Sequence, residues 1–176
     1  MEIERKFLVK NTAYKQDAVK MTFISQGFLN TNPDRTVRVR SSTVATAYAV
    51  EDGYSEAFLT IKGLTSDDGT TRPEWEYPVP VKDACHMLQL CEEFVTKNRY
   101  DVPHGDVVFE VDEFVLDNLG LTVAEVELLT ADQPFDKPDW LGKEVTGDPR
   151  FYNSSLSKHP FKDWSDEERE SVGLTS

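Results

Sequence analysis

Met1-Glu2-Ile3-Glu4-Arg5-Lys6 opens the chain with charged and apolar residues in alternation. Successive side chains of a strand point to opposite faces, so Glu2, Glu4 and Lys6 share one face while Ile3, Phe7 and Val9 share the other. Taken alone, such a charged row is a strand face that meets water. The row recurs, however, and its recurrence decides how the fold is read. Arg35-Thr36-Val37-Arg38-Val39-Arg40 sets Arg38 and Arg40 on one face with the sign of the charge inverted. Glu74/Glu76, Lys97/Arg99, Glu110/Asp112 and Glu125/Glu127 repeat the same spacing in further β-prone segments. Exposed faces tend to mix signs, because like charges about 7 Å apart repel. Six same-sign rows therefore point to strands that turn their charged faces inward.

Turn signals separate these segments. Asn32-Pro33-Asp34 turns the chain before Arg35, Glu51-Asp52-Gly53 predicts a long hairpin loop over 43–54, and Pro78 and Pro80 close the Glu74 strand. Asp117-Asn118-Leu119-Gly120 joins two strands as an antiparallel hairpin. Ala84, Met87, Leu88, Cys91 and Phe94 recur at helical spacing and predict one long helix from Val81 to about Phe94. Short helices are expected at 11–20, 139–144 and 148–157. The expected class is α+β, mostly β: about eight antiparallel strands closed into a barrel, charged inside, with helices packed outside. Residues 1–160 form the expected domain, and 161–176 read as an acidic, mobile tail.

With 176 residues, 39% of them hydrophobic, the chain can bury one sizeable core. The formal net charge of −13 repels nucleic acid and anionic lipid, so no nucleic-acid partner is expected. Cys85 and Cys91 lie six apart in the helical segment, where they neither pair nor chelate, and read as free thiols of a reducing compartment. Charged residues stand at the very start and no apolar run reaches the roughly 20 residues of a membrane span, so a soluble, cytoplasmic protein without membrane contact is expected.

Buried rows of bare charge are costly unless something compensates them. A polyanion would serve lysine and arginine, and divalent cations would serve glutamate and aspartate; triphosphate with Mg²⁺ or Mn²⁺ supplies both. Carboxylates without a histidine or cysteine cluster favour such hard cations over zinc. No glycine-rich phosphate loop of the Gly-x-x-x-x-Gly-Lys-Ser/Thr type occurs, so side chains would hold the phosphates.

Taken together, the motifs resemble the CYTH superfamily of triphosphate tunnel metalloenzymes, in its small bacterial-type branch. Glu2 to Lys6, Gln26-Gly27-Phe28, Arg35 to Arg40, Phe58 to Gly63, Glu74 to Tyr77, Lys97 to Tyr100, Glu110 to Phe114, Ala124 to Leu128, Trp140 to Thr146 and Arg150 to Asn153 carry the resemblance. It implies an eight-stranded antiparallel tunnel and metal-dependent hydrolysis of inorganic triphosphate, with nucleoside or thiamine triphosphatase, adenylate cyclase, or a non-catalytic polyphosphate-binding module as alternatives. It implies that Glu2, Glu4, Asp112, Glu125 and Glu127 hold the metal, Mg²⁺ or Mn²⁺. Lys6, Arg38, Arg40, Lys62, Lys97 and Arg99 would grip phosphates, and Glu4, Lys6 and Glu76 would act in catalysis. Phe28 stands where many relatives carry tyrosine, and the 43–54 loop is longer than theirs.

Overall fold

A computed structural model describes residues 1–30, 32, 34–45 and 56–174. The long loop expected at 43–54 falls mostly outside the described residues, and the strand before it runs on to Ala45.

The strands are β1 (Glu2–Val9), β2 (Lys20–Asn30), β3 (Arg35–Ala45), β4 (Glu56–Gly63), β5 (Thr71–Arg72), β6 (Glu74–Pro78), β7 (Phe94–His104), β8 (Val107–Phe114), β9 (Thr122–Glu127) and β10 (Leu141–Glu144). The sheet runs β10-β1-β9-β8-β7-β2-β3-β4-β6, antiparallel throughout. Its two ends meet through β5, which pairs Arg72 with Glu2 on β1 and continues past Pro73 into β6. Proline lacks the N–H that a ladder needs, so the stave bends there and changes neighbour. With β5 and β6 counted as one stave and β10 set aside, the nine-strand path gives the expected ring of eight.

β10 replaces the helix expected at 139–144. β5 covers only Glu2 and Ile3, which leaves the same edge of β1 open farther along, and Leu141–Glu144 fills it opposite Phe7–Val9. Unpaired strand edges are costly to leave bare, and this one decides the conformation of residues with no strong preference of their own. The helix from Val81 is also shorter than expected: α2 (Val81–Leu88) stops because Phe94 onward pairs with β2.

The pleat sorts the apolar residues by face. Phe7, Phe109, Val111, Ala124, Val126 and Trp140 form an outer core under α1 (Tyr14–Asp17). Val39, Ala57, Ala84 and Cys91 pack α2 against β3 and β4. Gly27 allows that approach, since a Cβ there would stand 2.7 Å from Cys91 Sγ. Burying an aromatic or aliphatic side chain contributes about 1.5–3 kcal/mol, so the helices and loops hold to the outside of the ring.

A third core fills one end of the barrel. Leu8, Phe28, Val95, Phe114 and Val123 meet Phe151 and Leu156 of the segment that includes α3 (Asn153–Lys158). The expected mobile tail joins them: Phe161, Trp164 and Val172 are buried there, and the Arg169 guanidinium lies 3.9 Å from the Phe161 ring centroid. The acidic residues of this segment form α4 (Asp166–Glu170), capped reciprocally by Ser165 and Glu168.

Candidate active site: a charged tunnel

The strand register brings the charge rows together inside the ring. Glu4 stands opposite Glu127 and Lys6 opposite Glu125. Glu110 lies beside Glu125, and Arg99 beside Asp112. On the other wall Arg38 pairs with Thr60, which in turn faces Glu76, and Lys62 faces Glu74. Two adjoining cavities share Glu2, Glu4, Lys6, Arg38, Lys62 and Asn153. The first adds Arg40, Arg99, Glu74, Glu76, Glu110, Glu125 and Glu127, so seven carboxylates face five cations in it. The second adds hydroxyls from Thr36, Thr60 and Tyr152, together with Phe28 and Arg72.

Most of these charges neutralise one another. Lys6 Nζ donates to Glu125 Oε1 at 2.6 Å and lies 3.3 Å from Glu4. Burial opposes charge on Lys6, but Glu125 and Glu4 outweigh it and its pKa is raised. Burial likewise opposes the charge of Glu125, and Lys6 with Arg99 overcomes it, holding that carboxyl well below the usual range. Lys62 Nζ donates to Glu2 at 2.8 Å and lies 3.2 Å from Glu74. Burial pushes the Glu2 carboxyl up, only partly offset by Lys62, and it pushes Glu110 up against the attraction of Arg99.

Arg38 and Arg40 are the exception. Their ion pairs to Glu76 are 3.9 and 3.5 Å long, and neither Nε has a hydrogen-bond partner among the described residues. Charge-assisted N–H···O⁻ bonds are normally about 2.7–2.9 Å. Burial, with repulsion from Arg38 and Arg99, lowers the Arg40 guanidinium to about 10. Glu76 is itself positioned by Thr60, whose hydroxyl donates to it at 2.8 Å.

Lys97 and Asp112 stand apart from the other expected ligand-contacting residues. Both side chains are 1% exposed, and neither is among the residues lining the two cavities. Asp112 is occupied on both oxygens, accepting from Lys97 at 2.6 Å and from Arg99 at 2.7 and 2.9 Å. Lys97 also reaches Asn153 Oδ1 at 3.2 Å. Burial brings the Lys97 ammonium down to about 8 despite Asp112, whereas Arg99 and Lys97 lower Asp112 against its burial. Arg99 does line the cavity.

Glu74, Glu110, Thr60, Tyr152 and Asn153 line the tunnel without having been assigned a role from sequence. The spacing rule had already marked Glu74 and Glu110 as members of charge rows. Thr60, uncharged, gave no such signal, and Tyr152 and Asn153 arrive from a segment outside the ring. Among the described residues no three histidine, cysteine or acidic side chains form a ready-made metal cage. Glu2, Glu4, Glu74, Glu76, Glu110 and Glu125 instead lie against lysine or arginine. As hard oxygen donors they fit Mg²⁺ or Mn²⁺ in kind.

The family model described as CYTH domain matches residues 1–158. The chain belongs to the CYTH family. A CYTH relative from Acetivibrio thermocellus, named inorganic triphosphatase, is 41% identical over 167 residues, covering 94% of this chain and 98% of that protein. Another inorganic triphosphatase, from Nitrosomonas europaea, is 34% identical over 161 residues and covers 89% and 96%. A crystal structure of an inorganic triphosphatase superposes with a TM-score of 0.60 at 30% identity, covering 89% of this chain and 94% of that one. Among the described residues no helix is long and apolar enough to cross a membrane.

Proposed function

We propose that this CYTH protein hydrolyses inorganic triphosphate inside the tunnel with the help of Mg²⁺ or Mn²⁺. The observation that carries the reading is the ion-pair lattice of the interior, with Arg38 and Arg40 left loosely held. A polyphosphate chain gives those guanidinium groups the oxygens they lack. It also competes with Glu125 and Glu2 for Lys6 and Lys62, and so frees carboxylates for a cation. The names of the two relatives support this substrate.

Glu2, Glu4, Glu125 and Glu127 are the residues that would hold the cation, which when bound neutralises charge developing on the phosphoryl oxygens. Lys6, Arg38, Arg40, Lys62 and Arg99 bind and align the phosphates. Glu4 or Glu76 accepts a hydrogen bond from the attacking water and so orients it in line. Asp112 and Lys97 act behind this layer, bracing Arg99.

The test is a competition between inorganic triphosphate and ATP in one reaction with Mg²⁺ or Mn²⁺, with phosphate, pyrophosphate and cyclic AMP resolved separately. Inorganic triphosphate should be consumed first, because among the described residues no lining side chain is dedicated to a base. Preferential loss of ATP, or cyclic AMP as the main product, would move the assignment to nucleotide chemistry.

A further inference from the structure

Two surface clefts adjoin the tunnel, and they carry opposite charge. One is lined by Asp101, Asp106, Glu110 and Glu127, with no basic side chain among the described residues that line it. Glu110 and Glu127 also line the tunnel, so this cleft is an acidic mouth. The other, of about 370 Å³, lies between the 64–72 and 149–158 segments and, among the described residues, carries Arg72 and Lys158 without a carboxylate. Thr65, Arg72, Tyr152 and Ser154 line both this cleft and the tunnel, so it is a second mouth. A lining without acid among the described residues, with Asp68 at the rim taken up by its own loop, stands out in a chain with 32 acidic and 19 basic residues.

The rim of this basic cleft is held in place. Asp68 Oδ1 accepts from Ser66, from the Thr70 hydroxyl and from the Thr70 amide, which closes the loop on itself. Gly69, at φ +76°, lies against Gly147, where a Cβ would overlap the neighbouring backbone. The opening is therefore a built feature of the fold.

We propose that the cleft at Arg72 and Lys158 is the anion port of the tunnel. Polyphosphate enters and phosphate leaves through it, while the acidic mouth turns anions away. The inference rests on the triphosphatase reading. A mouth of one sign with low-dielectric walls concentrates ions of the other sign and accelerates their entry. Exposed Lys158 supplies that field at the rim, and it is not among the described residues that line the tunnel cavities.

Charge reversal at each mouth tests the idea. Lys158→Glu should lower kcat/KM for inorganic triphosphate about tenfold at low ionic strength, leave kcat unchanged, and lose its effect as salt screens the field. Lys20→Glu is the control, since exposed Lys20 sits opposite Asp101 at the acidic mouth and should change kcat/KM less than about twofold. Ser155→Trp, which fills the cleft with a side chain, should lower kcat/KM at every salt concentration while the circular dichroism spectrum stays that of the wild type. An equal or larger loss from Lys20→Glu, or unchanged kinetics in both Lys158→Glu and Ser155→Trp, would overturn the port and leave the triphosphatase reading standing. A wild-type protein that releases no phosphate from inorganic triphosphate would overturn both.

Discussion

Two strands of this barrel carry a basic pair at the same spacing, and the two pairs have opposite fates. Arg38 and Arg40 on β3 face the cavity with contacts of 3.9 and 3.5 Å to a single carboxylate. Lys97 and Arg99 on β7 are bound at 2.6 to 2.9 Å to Asp112, which is itself buried. What differs is the neighbouring strand. β4 offers Thr60 opposite Arg38, a neutral hydroxyl, whereas β8 offers Asp112 opposite Arg99. One wall leaves both of its cations loosely held at the cavity, whereas the other buries Lys97 as structure and brings only Arg99 to the lining.

This contrast makes separable predictions. The largest effect should come from Asp112→Ala, which leaves buried Lys97 without a carboxylate and Arg99 with only Glu110 and Glu125, and should cost about 3–5 kcal/mol of stability in urea unfolding. An equally stable variant would mean that the β7 wall is not a structural brace. Arg38→Ala and Arg40→Ala should do the reverse. Each should cost about 1.5–3 kcal/mol in kcat/KM, the worth of a charge-assisted bond, with little change in urea stability. If they unfold as readily as Asp112→Ala, the distinction between the walls is lost.

Acid sharpens the same comparison. Asp112 and Glu125 have folded pKa values below their ordinary 3.8 and 4.5. Their contribution is therefore complete above about pH 4.5 and is lost as pH falls through the lower folded values. Glu2 and Glu110 are raised and work in the opposite sense above pH 4.5, so the loss is read below it. Unfolding free energy measured from pH 5 down to pH 2 should fall less steeply in Asp112→Asn than in the wild type, and identical slopes would contradict the assignment. The smallest effect should be that of Thr60→Val, which frees Glu76 to swing and should lower kcat/KM by about 1 kcal/mol.

The rows of like charge made the barrel, its inward polarity and most of the lining legible in advance, because the two-residue period states which side chains share a face. The same period is silent on who sits across the strand boundary, so Lys97 looked like Arg38. Register supplies that difference. The closing of the ring through Arg72 and Pro73, and the strand at Leu141–Glu144, depend on an open edge of β1 that exists only after the sheet has formed. Phe161, Trp164 and Val172 were hidden among acidic residues whose charge faces outward while these three fill the barrel end.

Phosphate release from inorganic triphosphate tests the central claim most directly, compared between the wild type and a folded Arg38→Ala/Arg40→Ala variant, each with EDTA and then with excess Mg²⁺ or Mn²⁺. The account predicts no release in EDTA, release restored by the cation in the wild type, and little in the variant despite a native circular dichroism spectrum. Release that persists in EDTA, or that is equal in the two proteins, would contradict it.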